Sequence, residues 1–194
     1  VSAPKDIGLI GIGLVGTALA EHLLAAGYRV VGCDIDPARR EALRQMGGDA
    51  VDHPADIAER ADTVILSLMT SEVVCEVIEG PHGLCAASRP PRLIVDTTTG
   101  DPEATEALAG RLADRNTDYV DATISGASQQ IREREAVFLV GGTAEAFAAS
   151  RGLLGVFSDK VFHLGPVGSG ARAKLASNLV LGLNRLALAE GLVF

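Results

Sequence analysis

The sequence predicts an α/β fold in which a doubly wound, mainly parallel sheet is covered by helices on both faces. Short apolar runs alternate with Ala- and Leu-rich segments of helical period along the 194 residues, which is the pattern of strand–helix–strand units. The strand-like runs are continuously apolar, as parallel strands buried on both faces are. Hydrophobic residues make up 47% and charged residues 22%. Those are the proportions of an ordinary globular chain with enough apolar material for one well-buried domain and the start of a second.

Taken in order, "DIGLIG" (6–11) reads as a strand and "GTALAEHLLAAG" (16–27) as a helix with Leu19, Leu23 and Leu24 on one face. Gly27 stands where a C-cap glycine ends a helix. "YRVVGCD" (28–34) is the next strand, and "PARREALRQM" (37–46) the next helix, with Pro37 in its first turn. "TVILSL" (63–68) and "RLIVDT" (92–97) are buried strands, separated by the helical "SEVVCEVI" (71–78) and a loop around Pro81, Pro90 and Pro91. The pattern then continues with helix "PEATEALAGRLADR" (102–115), strand "DYVDAT" (118–123), strand "AVFLVGG" (136–142), helix "TAEAFAASRGLLG" (143–155) and strand "KVFHLG" (160–165).

The segment from 168 to 194, "GSGARAKLASNLVLGLNRLALAEGLVF", behaves differently. It is one long helical pattern with apolar residues on more than one side, and a helix of that kind packs against several partners. The expectation is a nucleotide-type domain over 1–165, then the start of an interdomain helix over 166–194 within a longer protein.

Composition narrows the function. Aromatic residues are 4% and Trp is absent, so the core is built from Val, Leu, Ile and Ala. A formal net charge of −8 argues against nucleic acid as a general partner. Cys33, Cys75 and Cys85 are odd in number and lack metal-ligand spacing, which reads as buried or incidental thiols in a reducing compartment. No metal site is expected. The N-terminal residues show no signal-peptide pattern and no apolar run approaches the ~18 residues of a membrane span. A cytoplasmic protein with no membrane partner is expected.

The first strand and helix are joined by Gly11-Ile12-Gly13-Leu14-Val15-Gly16. Gly11 permits the sharp turn, Gly13 lets the backbone approach a pyrophosphate, and Gly16 lets the helix pack on the strand. That helix aims its N-terminal N–H groups at the phosphates. Asp34 ends the second strand 34 − 13 = 21 residues after the middle glycine, close to the offset of the acidic residue that takes the ribose hydroxyls. The setting is that of a Rossmann-type dinucleotide site. A carboxylate at Asp34 favours NAD over NADP, because it bonds a 2′-OH and repels a 2′-phosphate. Arg39 and Arg40 lie close behind, where they either hold such a phosphate or form a solvated helix face.

Downstream, "IVDTTTGDP" (94–102), "DATISGA" (121–127) and "GPVGSGARAKLASN" (165–178) follow in that order. Together with the glycine turn they resemble the β-hydroxyacid dehydrogenase family, over nearly the whole chain. The resemblance implies that Lys174 is the catalytic acid/base and that Asn178, one helical turn later, assists it and touches substrate. Residues at i and i+4 share a helix face, and an ammonium there protonates a carbonyl oxygen as hydride arrives. It further implies that Ser125, Gly126 and Ala127 bind the substrate carboxylate. Ala127 departs from the family's Ser-Gly-Gly. Arg134 and Glu135 replace its Gly-Thr, leaving Gln129, Gln130 or Arg132 to reshape the pocket.

The same resemblance places Thr99, with Thr98 nearby, on the nicotinamide side, together with Leu68 and with Met69 in place of a proline. The implied function is hydride transfer between NAD and a small β-hydroxy acid or its semialdehyde. The implied site closes against a helical C-terminal domain in a homo-oligomer, a dimer or tetramer. The alternatives are a non-catalytic NAD-binding module and an imine reductase. Lys174 and Asn178 speak against the first, and Lys174 against the second.

Overall fold

A computed structural model describes residues 6–194, and residues 1–5, on which part of the N-terminal reading rests, lie outside it. Eight strands form one sheet: β1 Asp6–Ile10, β2 Arg29–Cys33, β3 Asp49–Ala50, β4 Thr63–Leu66, β5 Leu93–Asp96, β6 Asp118–Ser125, β7 Val137–Gly141 and β8 Val161–Gly165. Their order is β3-β2-β1-β4-β5-β6-β7-β8. Every pairing is parallel except β6 with β7. The helices are α1 Leu14–Ala25, α2 Pro37–Gln45, α3 Pro54–Ala58, α4 Ser71–Glu79, α5 Pro102–Ala113, α6 Ser128–Arg132, α7 Ala144–Phe157 and α8 Ser169–Val193. The doubly wound class read from the sequence is the one observed.

Alternate strand residues feed two cores, as the two-residue period of a strand requires. One face packs Leu9, Ile65 and Val120 against Leu19 and Leu23 of α1 and Leu154 of α7. The other packs Ile10, Leu66 and Ile94 against Ile57 of α3, Ile78 of α4 and Leu108 of α5. Local signals set the helix ends. Asp36, Thr70, Asp101 and Thr143 each accept a first-turn N–H with their side chain, the usual N-cap bond. At the C-terminus of α1, Gly27 takes φ +83, while the Gly27 and Tyr28 N–H groups bond to the carbonyls of Leu24 and Leu23. That is a Schellman ending.

Short elements escape the sequence pattern. β3 has two residues, and α3 and α6 have five each. A hydrophobic period needs more residues than these to register. The long helix α8 extends from the β8 end, with only its start seated in the sheet layer: Gly170 and Ala171 are buried. Leu179, Leu181, Leu183, Leu186 and Leu188 farther along are between 46% and 64% exposed. Among the described residues no helix is long and apolar enough to cross a membrane, and Cys33, Cys75 and Cys85 are unpaired.

The strand order reverses direction between β1 and β4, each of which continues into a loop at its C-terminal end. In open α/β sheets ligands bind in the crevice at that switch point.

Candidate functional site

The turn after β1 is built from three glycines with three different surroundings. Gly11 takes φ +90, and a Cβ there would stand 2.1 Å from the Ser67 carbonyl oxygen. A Cβ on Gly16 would stand 1.9 Å from the Gly11 oxygen. Both are therefore required by the fold. Gly13 is extended, at φ −78, and a Cβ there would meet nothing nearer than Arg39 Nη1 at 3.8 Å. The space over Gly13 is open to a visitor. Gly13 also caps α1 without a side-chain bond, and the first turn has no acidic residue. The helix thus presents free N–H groups and the positive end of its dipole to the crevice.

That crevice is a groove of about 650 Å³. Asp34 lies in its wall, 6% exposed. Its Oδ2 accepts the Ile12 N–H at 2.7 Å and its Oδ1 the Asp36 N–H at 2.9 Å, so the carboxylate is held in place with lone pairs to spare for a diol. The two arginines behind it differ. Arg39 is half-exposed, with Nη1 3.5 Å from Asp34 Oδ2, and it reaches over the Gly13 turn. Arg40 is committed to the Asp34 carbonyl and to Asp52 at 3.1 Å.

The groove is also lined by Ile35, Pro54, Val77 and a pair of stacked rings, His53 and His82, with centroids 4.5 Å apart. The sequence reading missed these. The histidines are far apart in the chain and meet where the Ala55 N–H bonds the His82 carbonyl, and no local pattern announces such a contact.

The loops after β4 and β5 are tied together at the other end of the groove. Thr97 Oγ1 donates to the Leu66 carbonyl at 2.7 Å, and the Leu68 N–H donates to Thr98 Oγ1 at 3.1 Å. Thr98 is buried and serves as this latch, whereas Thr99 is exposed. Leu68 and Met69 both line the groove. Beneath the latch, Asp96 accepts the Thr98 N–H at 2.8 Å and the Tyr119 hydroxyl at 2.5 Å. Burial pushes the Asp96 carboxyl up to about 6, against the pull of the bonds from Thr98 and Tyr119. Tyr119 lay outside the sequence reading, and Asp96 entered it only as part of the 94–102 segment, without a role of its own.

Ser125 ends β6, Gly126 takes φ +142, and Ala127 begins the turn into α6. The Ala127 N–H is already engaged by Gln130 Oε1 at 2.6 Å, so it is not free to meet a carboxylate in this arrangement. The neighbouring candidates are tied elsewhere as well. Gln129 bonds Glu133, and Arg132 pairs with Glu21 of α1 at 2.7 Å. Arg134, in a left-handed conformation at φ +58, donates to the carbonyls of Gly155 and Val156 and pairs with Asp159. Glu135 pairs with Lys160. These residues fasten the β6–β7 connection to α1, α7 and the loop before β8.

On α8, Lys174 is partly buried and Asn178, one turn later, is exposed. Burial alone lowers the Lys174 amine below the ordinary lysine value. Among the described residues no cluster of His, Cys, Asp and Glu is arranged to hold a metal.

The family described as the NAD binding domain of 6-phosphogluconate dehydrogenase matches residues 6–165. Human mitochondrial 3-hydroxyisobutyrate dehydrogenase is 32% identical over 192 residues, covering 99% of this chain and 57% of the human protein. A solved structure of Mycobacterium tuberculosis 3-hydroxyisobutyrate dehydrogenase with L-serine superposes with a TM-score of 0.89 at 28% identity, covering 97% of this chain and 64% of that one. Psf3, solved with NADP+ and 2-OPP, superposes with a TM-score of 0.84 at 25% identity, covering 95% and 68%. The chain therefore spans a little over half the length of the human relative.

The open space over Gly13 has a direct consequence. Gly13→Ala is expected to leave stability within about 0.5 kcal/mol of the parent, yet to weaken NADH binding at least about tenfold, the effect of ~1.4 kcal/mol of lost contact. Gly11→Ala and Gly16→Ala are expected to lower the melting temperature instead. Thermal melts and NADH fluorescence titrations check both. Unchanged NADH affinity in Gly13→Ala contradicts the placement.

Asp96 gives a pH-dependent expectation. Its folded value of about 6 lies above that of a free carboxyl, so the native state holds this proton more tightly than the unfolded chain. The stability contributed is full below about pH 4 and is lost as pH rises through 6. Asp96→Asn stays neutral. From pH 4 to pH 7 the variant is expected to gain on the parent by on the order of 2–3 kcal/mol in urea unfolding. A difference that does not vary with pH contradicts this account of the carboxyl.

Proposed function

We propose, because this chain belongs to the β-hydroxyacid dehydrogenase family and supplies its N-terminal NAD-binding domain, that it serves a dehydrogenase of small, carboxylate-bearing β-hydroxy acids. The bound nicotinamide supplies or accepts the hydride. The chain's own residues hold the cofactor, orient the substrate and move one proton. The observation that carries the reading is Lys174. It is partly buried on a helix, and burial is the sole influence lowering its amine, the state suited to proton exchange with an alcohol.

In this reading the N–H groups at Gly13, Leu14, Val15 and Gly16 cradle the pyrophosphate, and Asp34 takes the adenosine ribose hydroxyls. Thr99, Leu68 and Met69 border the nicotinamide. Ser125 and the Gly126 turn meet the substrate carboxylate, and Asn178 steadies the reacting oxygen beside Lys174. The relatives named for 3-hydroxyisobutyrate and 2-(hydroxymethyl)glutarate, and the one solved with L-serine, support a small hydroxy acid bearing a carboxylate.

We place the nucleotide domain at 1–165, where the family match ends, and read 166–194 as the start of an interdomain helix. Its exposed leucines would then be covered by a helical domain in a dimer or tetramer. Unpaired thiols favour a reducing, cytoplasmic setting. NAD is the favoured cofactor, because the Asp34 carboxylate is fixed in the groove wall where a 2′-phosphate would meet it.

Full-length protein screened with 3-hydroxyisobutyrate and other 3-hydroxy acids, following NADH absorbance, tests the activity. Lys174→Ala is expected to lower kcat by about 10²–10⁴-fold while NADH affinity barely changes. A loss under about tenfold, with chemistry shown to limit the rate, contradicts the role. For the cofactor, calorimetry is expected to find NADH bound more tightly than NADPH. The reverse order would shift the adenosine site from Asp34 to Arg39.

A further inference from the structure

The start of α8 is held in an unusual way. Its N-cap, Gly168, takes φ +87 and offers no side-chain bond, and its first turn contains no acidic residue. The cap comes instead from the middle of the sheet. Asp121 on β6, 2% exposed, accepts the Gly168 N–H at Oδ1 and the Ala171 N–H at Oδ2, both at 2.8 Å. Two strand residues farther on, Thr123 Oγ1 donates to the Gly170 carbonyl at 3.0 Å.

The fit leaves no slack. A Cβ on Gly141 would stand 2.4 Å from Asp121 Oδ1, and one on Gly170 would stand 2.4 Å from the Leu139 carbonyl and 2.8 Å from Asp121 Oδ2. A buried carboxylate here also meets the positive end of the α8 dipole. The two tethers interleave on the helix: Thr123 holds Gly170, which lies between Gly168 and Ala171, the two residues held by Asp121. They therefore pin the first turn of α8 to β6 at two successive inward-facing positions of the strand. One further turn, about 5.4 Å, brings α8 to Lys174.

The geometry points to Asp121 as the positioning residue of Lys174: by clamping the first turn of α8 to β6 it fixes, against the sheet, the helix that carries the ammonium. The inference rests on the acid/base role proposed above for Lys174. Asp121 acts through the helix and not through its charge, since the Lys174 amine is shifted by burial alone. Asn at 121 cannot substitute. An amide has one acceptor oxygen, and its NH₂ would face the second N–H donor.

The test uses full-length protein carrying Asp121→Asn, with Thr123→Val as a milder variant that removes the second tether should the first not fold. Competitive acetylation read by mass spectrometry titrates Lys174, with Lys160 as internal control. In either variant the Lys174 midpoint is expected to rise toward an ordinary lysine value as the loosened helix lets water in, while Lys160 stays put and NADH affinity stays within about twofold.

With 3-hydroxyisobutyrate and NAD+, kcat is expected to fall by on the order of 10²-fold in Asp121→Asn, the cost of about 1 Å of misplacement, with KM little changed. The double variant Asp121→Asn/Lys174→Ala should then be no slower than Lys174→Ala alone. An unmoved Lys174 midpoint in a folded variant, or rate losses that multiply in the double variant, overturns the positioning role. Lys174→Ala that keeps its turnover overturns the underlying reading instead, and the labelling result then reports on the clamp by itself.

Discussion

The architecture depends on how closely α1 crosses the end of β1. A Cβ on Gly16 would lie 1.9 Å from the Gly11 carbonyl, and one on Gly11 would lie 2.1 Å from the Ser67 carbonyl. Backbone meets backbone at both points, so no side chain fits and the chain has one way through. That passage aims the uncapped N-terminus of α1 into the crevice between β1 and β4, where the strand order reverses. A net charge of −8 does not prevent an anionic ligand from binding there, because the local field comes from oriented N–H groups and not from the overall balance.

Around this crossing, buried carboxylates replace side-chain packing as the means of fixing loops. Asp34 follows β2 and holds the Ile12 and Asp36 N–H groups. Asp96 ends β5 and holds the Thr98 N–H. Asp121 pairs in register with Asp96 on the neighbouring strand and holds Gly168 and Ala171. A buried carboxylate is costly unless its oxygens are satisfied, and a loop with free N–H groups is costly unless it finds acceptors. Each need meets the other at the rim of the sheet. The loops fixed in this way are those that border the groove and the helix bearing Lys174.

Much of this was legible before the structure. The strand–helix alternation set the class, and Gly11, Gly13, Gly16 and Asp34 marked the groove because their spacing reflects a local strand–turn–helix unit. What stayed hidden depends on contacts distant in sequence. His53 and His82 look unremarkable apart and become a stacked wall only when packed. Asp121 sits inside a strand pattern, where a polar residue gives no hint that it caps a helix starting 48 residues later. Thr98 and Thr99 are indistinguishable as sequence, yet one is buried and the other exposed. Arg134 and Glu135 stood out as departures from the family pattern, and the structure gives them fastening roles, in ion pairs with Asp159 and Lys160.

The groove over Gly13 and beside Asp34 is the proposed seat of the pyrophosphate and adenosine ribose of a nicotinamide dinucleotide. Calorimetric titration with ADP-ribose and, separately, with nicotinamide mononucleotide tests it most directly. ADP-ribose carries both anchoring groups and lacks the nicotinamide. The account predicts that it binds and displaces NADH competitively, whereas the mononucleotide binds far more weakly. ADP-ribose that neither binds nor competes, or a mononucleotide that binds as well as NADH, would contradict it.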